Sequence, residues 1–102
     1  MREKRQKEKQ NVIMPGRDIV AASAQELRRR LWSLMDEGIQ GIVVDLTGVH
    51  MIDSIGLGVL ISTHNALKKK GGQLSVVNAS RDLFSLFSAM RLDQHFEVKM
   101  MA

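Results

Sequence analysis

The chain has 102 residues, of which 44% are hydrophobic and 25% are charged, and it contains one proline and no cysteine. This length suffices for one hydrophobic core of ordinary size and leaves too few residues for a second. The absence of cysteine excludes disulfide bonds, thiolate catalysis and the usual zinc sites built on thiolates. No apolar run approaches the roughly 18 residues of a membrane span, and the composition favours a protein of the cytoplasm.

Most of the net charge of +4 lies in the first ten residues. MREKRQKEKQ holds five basic and two acidic residues, so its net charge is +3 and residues 11–102 carry the remaining +1. Because this segment has no apolar periodicity, we predict a charged, flexible leader over residues 1–10 and a single domain over residues 11–102. A polybasic contact with nucleic acid or acidic lipid is the alternative for the leader. The nearly neutral domain predicts no nucleic-acid partner and no membrane.

The first third of the chain predicts two short strand-like pieces and a helix. Residues 11–14 and 18–21 are the strand-like pieces, since the Pro-Gly pair between them favours a turn. Ser23-Ala24-Gln25-Glu26 has the form of a capping box, in which the two polar side chains satisfy free N–H groups, so it predicts a helix start. Gly38 is well placed to end that helix. Its apolar stripe has helical spacing and comprises Leu27, Leu31, Leu34 and Met35.

The remainder of the chain alternates strands with helices. Residues 42–46 and 74–78 are short apolar runs rich in β-branched side chains, which are typical of buried strands. The helical pattern between them ends in three lysines, which suit the carboxyl end of a helix dipole. Ser80 is predicted to cap a third helix and residues 96–98 to form a last strand, so the order favours an α/β sheet with right-handed crossovers. The two helical stripes are Leu57, Leu60, Ile61, His64 and Leu67, then Leu83, Phe84, Phe87 and Met90.

The motif Asp53-Ser54-Ile55-Gly56-Leu57-Gly58 falls where the second helix begins. It lacks the third glycine of a dinucleotide fingerprint, and the chain has no GxxxxGK[ST] phosphate loop. A nucleophile elbow needs glycine where Ile52 stands, and His64 would lie about 15 Å from the serine along a helix. The histidines show no metal-ligand spacing. We therefore expect no catalytic residue, no cofactor and no metal, and interpret the glycines as sites of close backbone approach.

Two interpretations of Ser54 remain, a helix-capping residue or the acceptor of a phosphate. A phosphoserine carries a charge of about −1.5 to −2, which the N–H groups and the dipole at a helix N-terminus can receive. Asp53 is interpreted first as the helix cap and second as a group that orients the hydroxyl for a kinase. The spacing alone favours capping for Ser54.

Residues 43–49, 52–60 and 71–78 resemble the STAS domain, and specifically the bacterial anti-sigma factor antagonists. The resemblance covers about residues 17–98. It implies an α/β, STAS-like fold, with a small mixed β-sheet and helices packed mainly on one face. In this family the serine after the aspartate is phosphorylated by an anti-sigma factor kinase, and that serine corresponds to Ser54.

The resemblance implies a regulator of transcription that is not an enzyme. In the family, the unphosphorylated antagonist binds an ATP-dependent anti-sigma factor serine kinase of the GHKL type and frees its sigma factor, and a PP2C-type phosphatase removes the phosphate. The implied protein is a cytoplasmic, bacterial partner-switching phosphoprotein, as a monomer or a weak dimer. The alternative is a STAS adaptor in a signalling or chemotaxis complex without direct sigma-factor control.

The implied docking surface consists of the motif and the exposed side of the helix that follows it. The chain departs from the family pattern at Ile55, where a second hydroxyl residue is common, and at Val20, where an aspartate is common and Asp18 lies two residues earlier. The predicted partner-binding residues are Asp53, Ser54, Ile55, Gly56, Leu57, Gly58, Ser62 and Asn65.

Overall fold

A computed structural model of the chain describes residues 11–102. The predicted leader, residues 1–10, lies outside the described residues. In the described part, four strands alternate with three helices, and a single 3₁₀ turn precedes the last strand. In chain order they are β1 (Val12–Ile13), α1 (Ala21–Asp36), β2 (Gly41–Asp45), α2 (Ser54–Lys69), β3 (Gln73–Ala79), α3 (Arg81–Ala89), the 3₁₀ turn (Leu92–Gln94) and β4 (Glu97–Met100).

The strands form one sheet in the order β1-β2-β3-β4, and each neighbouring pair is parallel. Successive right-handed crossovers between adjacent parallel strands place their helices on the same face of the sheet. The burial pattern agrees, because Ile42, Val44, Leu74 and Val76 are buried while the residues that alternate with them, up to Val77 in β3, are partly or fully exposed. The predicted α/β fold with helices on one face is confirmed, and its sheet is parallel, not mixed, throughout the described strands.

The segment between β1 and α1 differs from its prediction. Strand β1 has only two residues, and residues 18–21 form no strand. Within them, Ile19 makes a single parallel bridge to Ile52, in the loop that precedes α2. The chain therefore runs alongside a loop of the protein here and not as a further strand of the sheet.

The predicted cap of α1 is also wrong. Ser23 lies inside the helix, where its hydroxyl accepts a hydrogen bond from the N–H of Val20 (3.1 Å) and donates one to the carbonyl oxygen of Asp18 (2.6 Å). The helix begins earlier, at Ala21, whose N–H donates to the carboxylate of Asp53 at 3.0 Å. The N–H group at the start of α1 is thus bonded by a side chain that is distant in sequence. For this reason the local capping pattern placed the start of the helix too late in the chain.

The later elements match their predictions to within two residues. The Ser80 hydroxyl accepts a hydrogen bond from the N–H of Leu83 (3.2 Å) and caps α3 as predicted. Met90, predicted in the stripe of α3, follows the helix and is 47% exposed. The predicted stripes otherwise line a core whose largest fully buried members include Leu31, Leu46, Leu60, Leu67, Leu74 and Phe87.

His64 is one of two polar residues buried among the described residues, the other being Thr63. Its side chain is 5% exposed, and its ring centroid lies 5.4 Å from that of Phe96. The Nδ1 atom is buried with no hydrogen-bond partner among the described residues. Burial lowers the pKa of the imidazole, and the positive charges of Lys68 and His95 lower it further. His64 is thus a neutral packing residue near neutral pH.

We expect this buried imidazole to make the protein sensitive to mild acid. Above its ordinary pKa of 6.5, His64 is neutral in the folded and the unfolded chain, and its full contribution to stability is present. As the pH falls below 6.5, the unfolded chain takes up a proton that the folded state resists, so the free energy of unfolding decreases until the pH passes the lowered pKa. Urea unfolding between about pH 5 and 7.5 measures this slope.

The matched variants separate His64 from the other titrating groups. His64→Gln should flatten the slope, while His50→Gln, at an exposed loop position, should leave it unchanged. An unchanged slope in His64→Gln would contradict the assignment.

Candidate functional site

The candidate site lies at the edge of the sheet where the parallel strands end, and two loops meet there. The loop before α1 and the loop before α2 run side by side, joined by backbone hydrogen bonds. The N–H of Ile19 donates to the carbonyl of Met51 (3.0 Å), and the N–H of Asp53 donates to the carbonyl of Ile19 (3.2 Å). The start of α2 is therefore held by hydrogen bonds to residues that are distant in sequence, as well as by the chain that connects it to β2.

Two carboxylates fasten these loops together. One oxygen of Asp18 accepts the backbone N–H groups of His50 (2.8 Å) and Met51 (3.0 Å). In the sequence, Asp18 stands out only as a residue displaced from the family pattern. Its role was missed because the two N–H groups lie more than thirty residues away, and an Asp near a Pro-Gly turn fits a local turn equally well.

Asp53 is the helix cap that the sequence predicts, and it does more than cap. Its Oδ1 atom accepts the N–H of Gly56 at 2.9 Å, and its Oδ2 atom accepts the N–H of Ala21, at the start of α1, at 3.0 Å. The hydrogen bond from Gly56 is the main cause that holds the pKa of the Asp53 carboxyl below its ordinary value, with Ala21 contributing in the same direction. The side chain is therefore a carboxylate at neutral pH and joins the amino ends of α1 and α2.

Of the two glycines in the motif, only Gly56 lies where a neighbouring segment comes too close for a side chain. A Cβ added at Gly56 would overlap the carbonyl oxygen of Ile19 and come within 2.9 Å of that residue's Cγ2 atom. A Cβ added at Gly58 would meet nothing within 4 Å. Close backbone approach thus explains Gly56, whereas Gly58 lies on the exposed side of α2.

The hydroxyl-bearing residue is accessible. Ser54 is the first residue of α2 and is exposed. Two residues close to it in sequence are exposed and apolar, since Ile55 is 52% exposed and Met51 is 57% exposed. Within the described residues, the Ser54 hydroxyl makes no hydrogen bond. The site presents a free hydroxyl at the start of a capped helix.

The other predicted surface residues divide into two groups. Gly58, Ser62 and Asn65 are exposed and follow Ser54 at helical spacing, so they continue one face of α2. Ser62 donates its hydroxyl to a carbonyl of its own helix at 3.2 Å. Leu57 and Gly56 are buried, and they support the surface from below without forming part of its exposed area.

The described residues contain no cluster of three or more His, Cys, Asp or Glu side chains that could hold a metal ion. None of the helices in residues 11–102 has both the length and the apolar run needed to cross a membrane. What the edge of the sheet offers chemically is one accessible hydroxyl next to an ionised carboxylate, at the amino end of a sixteen-residue helix.

Comparison with known proteins gives the family. A STAS domain model matches residues 2–101. A Bacillus subtilis protein named anti-sigma-B factor antagonist is 35% identical over 81 residues, which are 79% of this chain and 73% of that protein.

Solved structures show the same fold. A Thermotoga maritima protein described as an anti-sigma factor antagonist aligns with a TM-score of 0.81 and 21% identity, over 86% of this chain and 76% of that one. The anti-sigma factor antagonist SpoIIAA, solved in its unphosphorylated form, aligns with a TM-score of 0.67 and 17% identity, over 89% of this chain and 78% of that one. The STAS-like fold is therefore confirmed, and the chain belongs to the STAS domain family, among the anti-sigma factor antagonists.

Proposed function

We propose that this chain is an anti-sigma factor antagonist that changes partners when Ser54 is phosphorylated. In the unphosphorylated form it binds an anti-sigma factor serine kinase of the GHKL type in the cytoplasm, so that the sigma factor is freed for transcription. Phosphorylation of Ser54 by the same kinase ends this binding, and a PP2C-type phosphatase restores it. The observation that carries the proposal is the free, exposed hydroxyl of Ser54 at the start of α2.

The geometry suits a phosphoacceptor in two ways. A kinase must reach the hydroxyl without unfolding its substrate, and Ser54 is exposed in the first turn of a helix that Asp53 already caps. The fold can also carry the product, because the amino end of a helix favours negative charge. The adjacent Asp53 carboxylate repels a phosphate dianion, so the two groups together would form a strongly negative site at the start of α2.

The surroundings of Ser54 suit a reversible docking surface. Ile55, next to Ser54 in the chain, and Met51, three residues before it, have exposed apolar side chains, and such residues contribute to binding when a partner covers them. Gly58 leaves the next turn of α2 without a side chain, which lets a partner approach the helix backbone closely. A phosphate in the middle of this surface would have to lose its water when the partner docks.

Intact-mass measurement after incubation with the cognate kinase and ATP tests the proposal. The wild-type protein should gain one phosphate, and Ser54→Ala should gain none. Ser62→Ala is the matched control, since Ser62 is exposed on the same face of α2, and it should be phosphorylated like the wild type. No mass gain in the wild type, or an undiminished gain in Ser54→Ala, would refute Ser54 as the phosphoacceptor.

A further inference from the structure

A basic groove runs along the outer flank of α1, and neither of its two clefts is lined by Ser54 or by another residue of α2. It consists of two adjoining clefts of about 210 and 400 Å³, and Arg30 lines both. The first lies against the loop before α1 and the second against strand β1. From Ser23 to Leu34 the helix extends about 16 Å, which sets the length of the groove. The side chains that give it its character are Val12, Arg17, Glu26, Arg29, Arg30 and Leu34.

The acidic groups along this groove are already engaged. Glu26 pairs with Arg17 at 3.4 Å, and one oxygen of Asp18 accepts two backbone N–H groups. Arg29 and Arg30 form no ion pair and no side-chain hydrogen bond with any residue from 11 to 102. The wider cleft therefore presents two exposed guanidinium groups that have no ion-pair partner in the described part of the chain and no acidic residue in the lining of that cleft.

The wider cleft is apolar as well as basic. Val12, in the edge strand β1, is 45% exposed, and Leu34 is partly buried against the core. Together with the arginines they form a surface that suits an apolar side chain with carboxylates on either side. Guanidinium groups bind carboxylates through paired, charge-assisted hydrogen bonds.

Charge decides between the candidate occupants of this groove. Residues 1–10 precede β1 in the chain, but they carry a net charge of +3, so two arginines would repel them. Nucleic acid would pair with the arginines, yet it would leave Val12 and Leu34 without apolar partners, and no aromatic side chain lines the clefts for base stacking. We propose that the groove binds an acidic amphipathic segment of a partner protein, independently of the state of Ser54.

Fluorescence anisotropy with a synthetic probe tests this docking site on the full chain. The probe is a fluorescein-labelled peptide of Glu and Leu residues in amphipathic helical spacing. Arg29→Glu combined with Arg30→Glu should weaken binding at least about tenfold, since both guanidinium groups become carboxylates. The corresponding double Gln variant should lose less. The control combines Arg28→Glu with Arg81→Glu, which changes the net charge equally at exposed positions outside the groove, and it should bind like the wild type.

Further arms of the experiment separate the alternatives. A peptide with Lys in place of Glu, and one with Ser in place of Leu, should both bind more weakly than the probe, and Ser54→Asp should bind the probe like the wild type. The proposal is overturned if the probe shows no saturable binding or if both charge-reversed doubles lose affinity equally. Tighter binding of a duplex DNA would overturn it too. The proposal would also be overturned if deletion of residues 1–10 caused a loss of binding and the double variant Arg29→Glu with Arg30→Glu did not.

Discussion

Gly56→Ala is expected to lower the free energy of unfolding by about 2–3 kcal/mol, although alanine is the better helix former. The added methyl group would overlap the carbonyl oxygen of Ile19, a backbone atom that cannot rotate away. That carbonyl is held by the N–H of Asp53 at 3.2 Å, so relief requires separating the two loops that build the site. Denaturant unfolding followed by circular dichroism measures the loss.

Gly58→Ala is the matched control, two residues further along the same helix. A Cβ at this position meets nothing within 4 Å, so only the helix preference of alanine acts. We expect a gain of about 0.5–1 kcal/mol. Two variants with the same chemical change should therefore shift stability in opposite directions. A loss of similar size in both would mean that helix α2 does not pack against the Ile19 loop as described.

The regular elements were predictable because their signals are local. Helical spacing of apolar residues, β-branched runs and the Ser80 cap each act within a few residues, and the structure reproduces the elements they predict. The corner before α1 was not predictable in this way. Its geometry depends on Asp18 and Asp53, whose hydrogen bonds join residues 32 or 33 positions apart in sequence. The local sequence pattern assigned the helix cap to Ser23, because the carboxylate that accepts the N–H of Ala21 belongs to a residue in another loop.

The candidate site shows the same division. The motif predicted Ser54 at a helix start and Asp53 as its cap, and the family resemblance implied Ser62 and Asn65 on the exposed side of that helix. Sequence could not show which glycine faces the neighbouring loop, since that depends on how the two loops pack. Nor could it reveal the basic groove, which exists only because β1 lies beside the flank of α1 that carries Arg29 and Arg30.

Phosphorylation of Ser54 is expected to weaken the affinity for the proposed kinase partner by about 100-fold or more, since burying a phosphate dianion in an interface costs several kcal/mol of lost hydration. The dianion would stand beside the Asp53 carboxylate, whose lowered pKa keeps it ionised at neutral pH. It would also lie close in sequence to the exposed apolar residues Ile55 and Met51, so that a partner that covers these side chains must strip water from the phosphate.

Titration calorimetry of the kinase with both forms of the protein measures this loss. Ser54→Ala should bind like the unphosphorylated wild type, because the free hydroxyl makes no hydrogen bond within the described residues. Ser54→Asp, with a single charge, should lose part of the affinity that the phosphate removes. Ser62→Asp adds the same charge about 12 Å further along α2 and should lose less than Ser54→Asp, since solvent screens exposed charges over about this distance. Equal losses in the two Asp variants would indicate that the kinase responds to the net charge of the helix face and not to the position of Ser54.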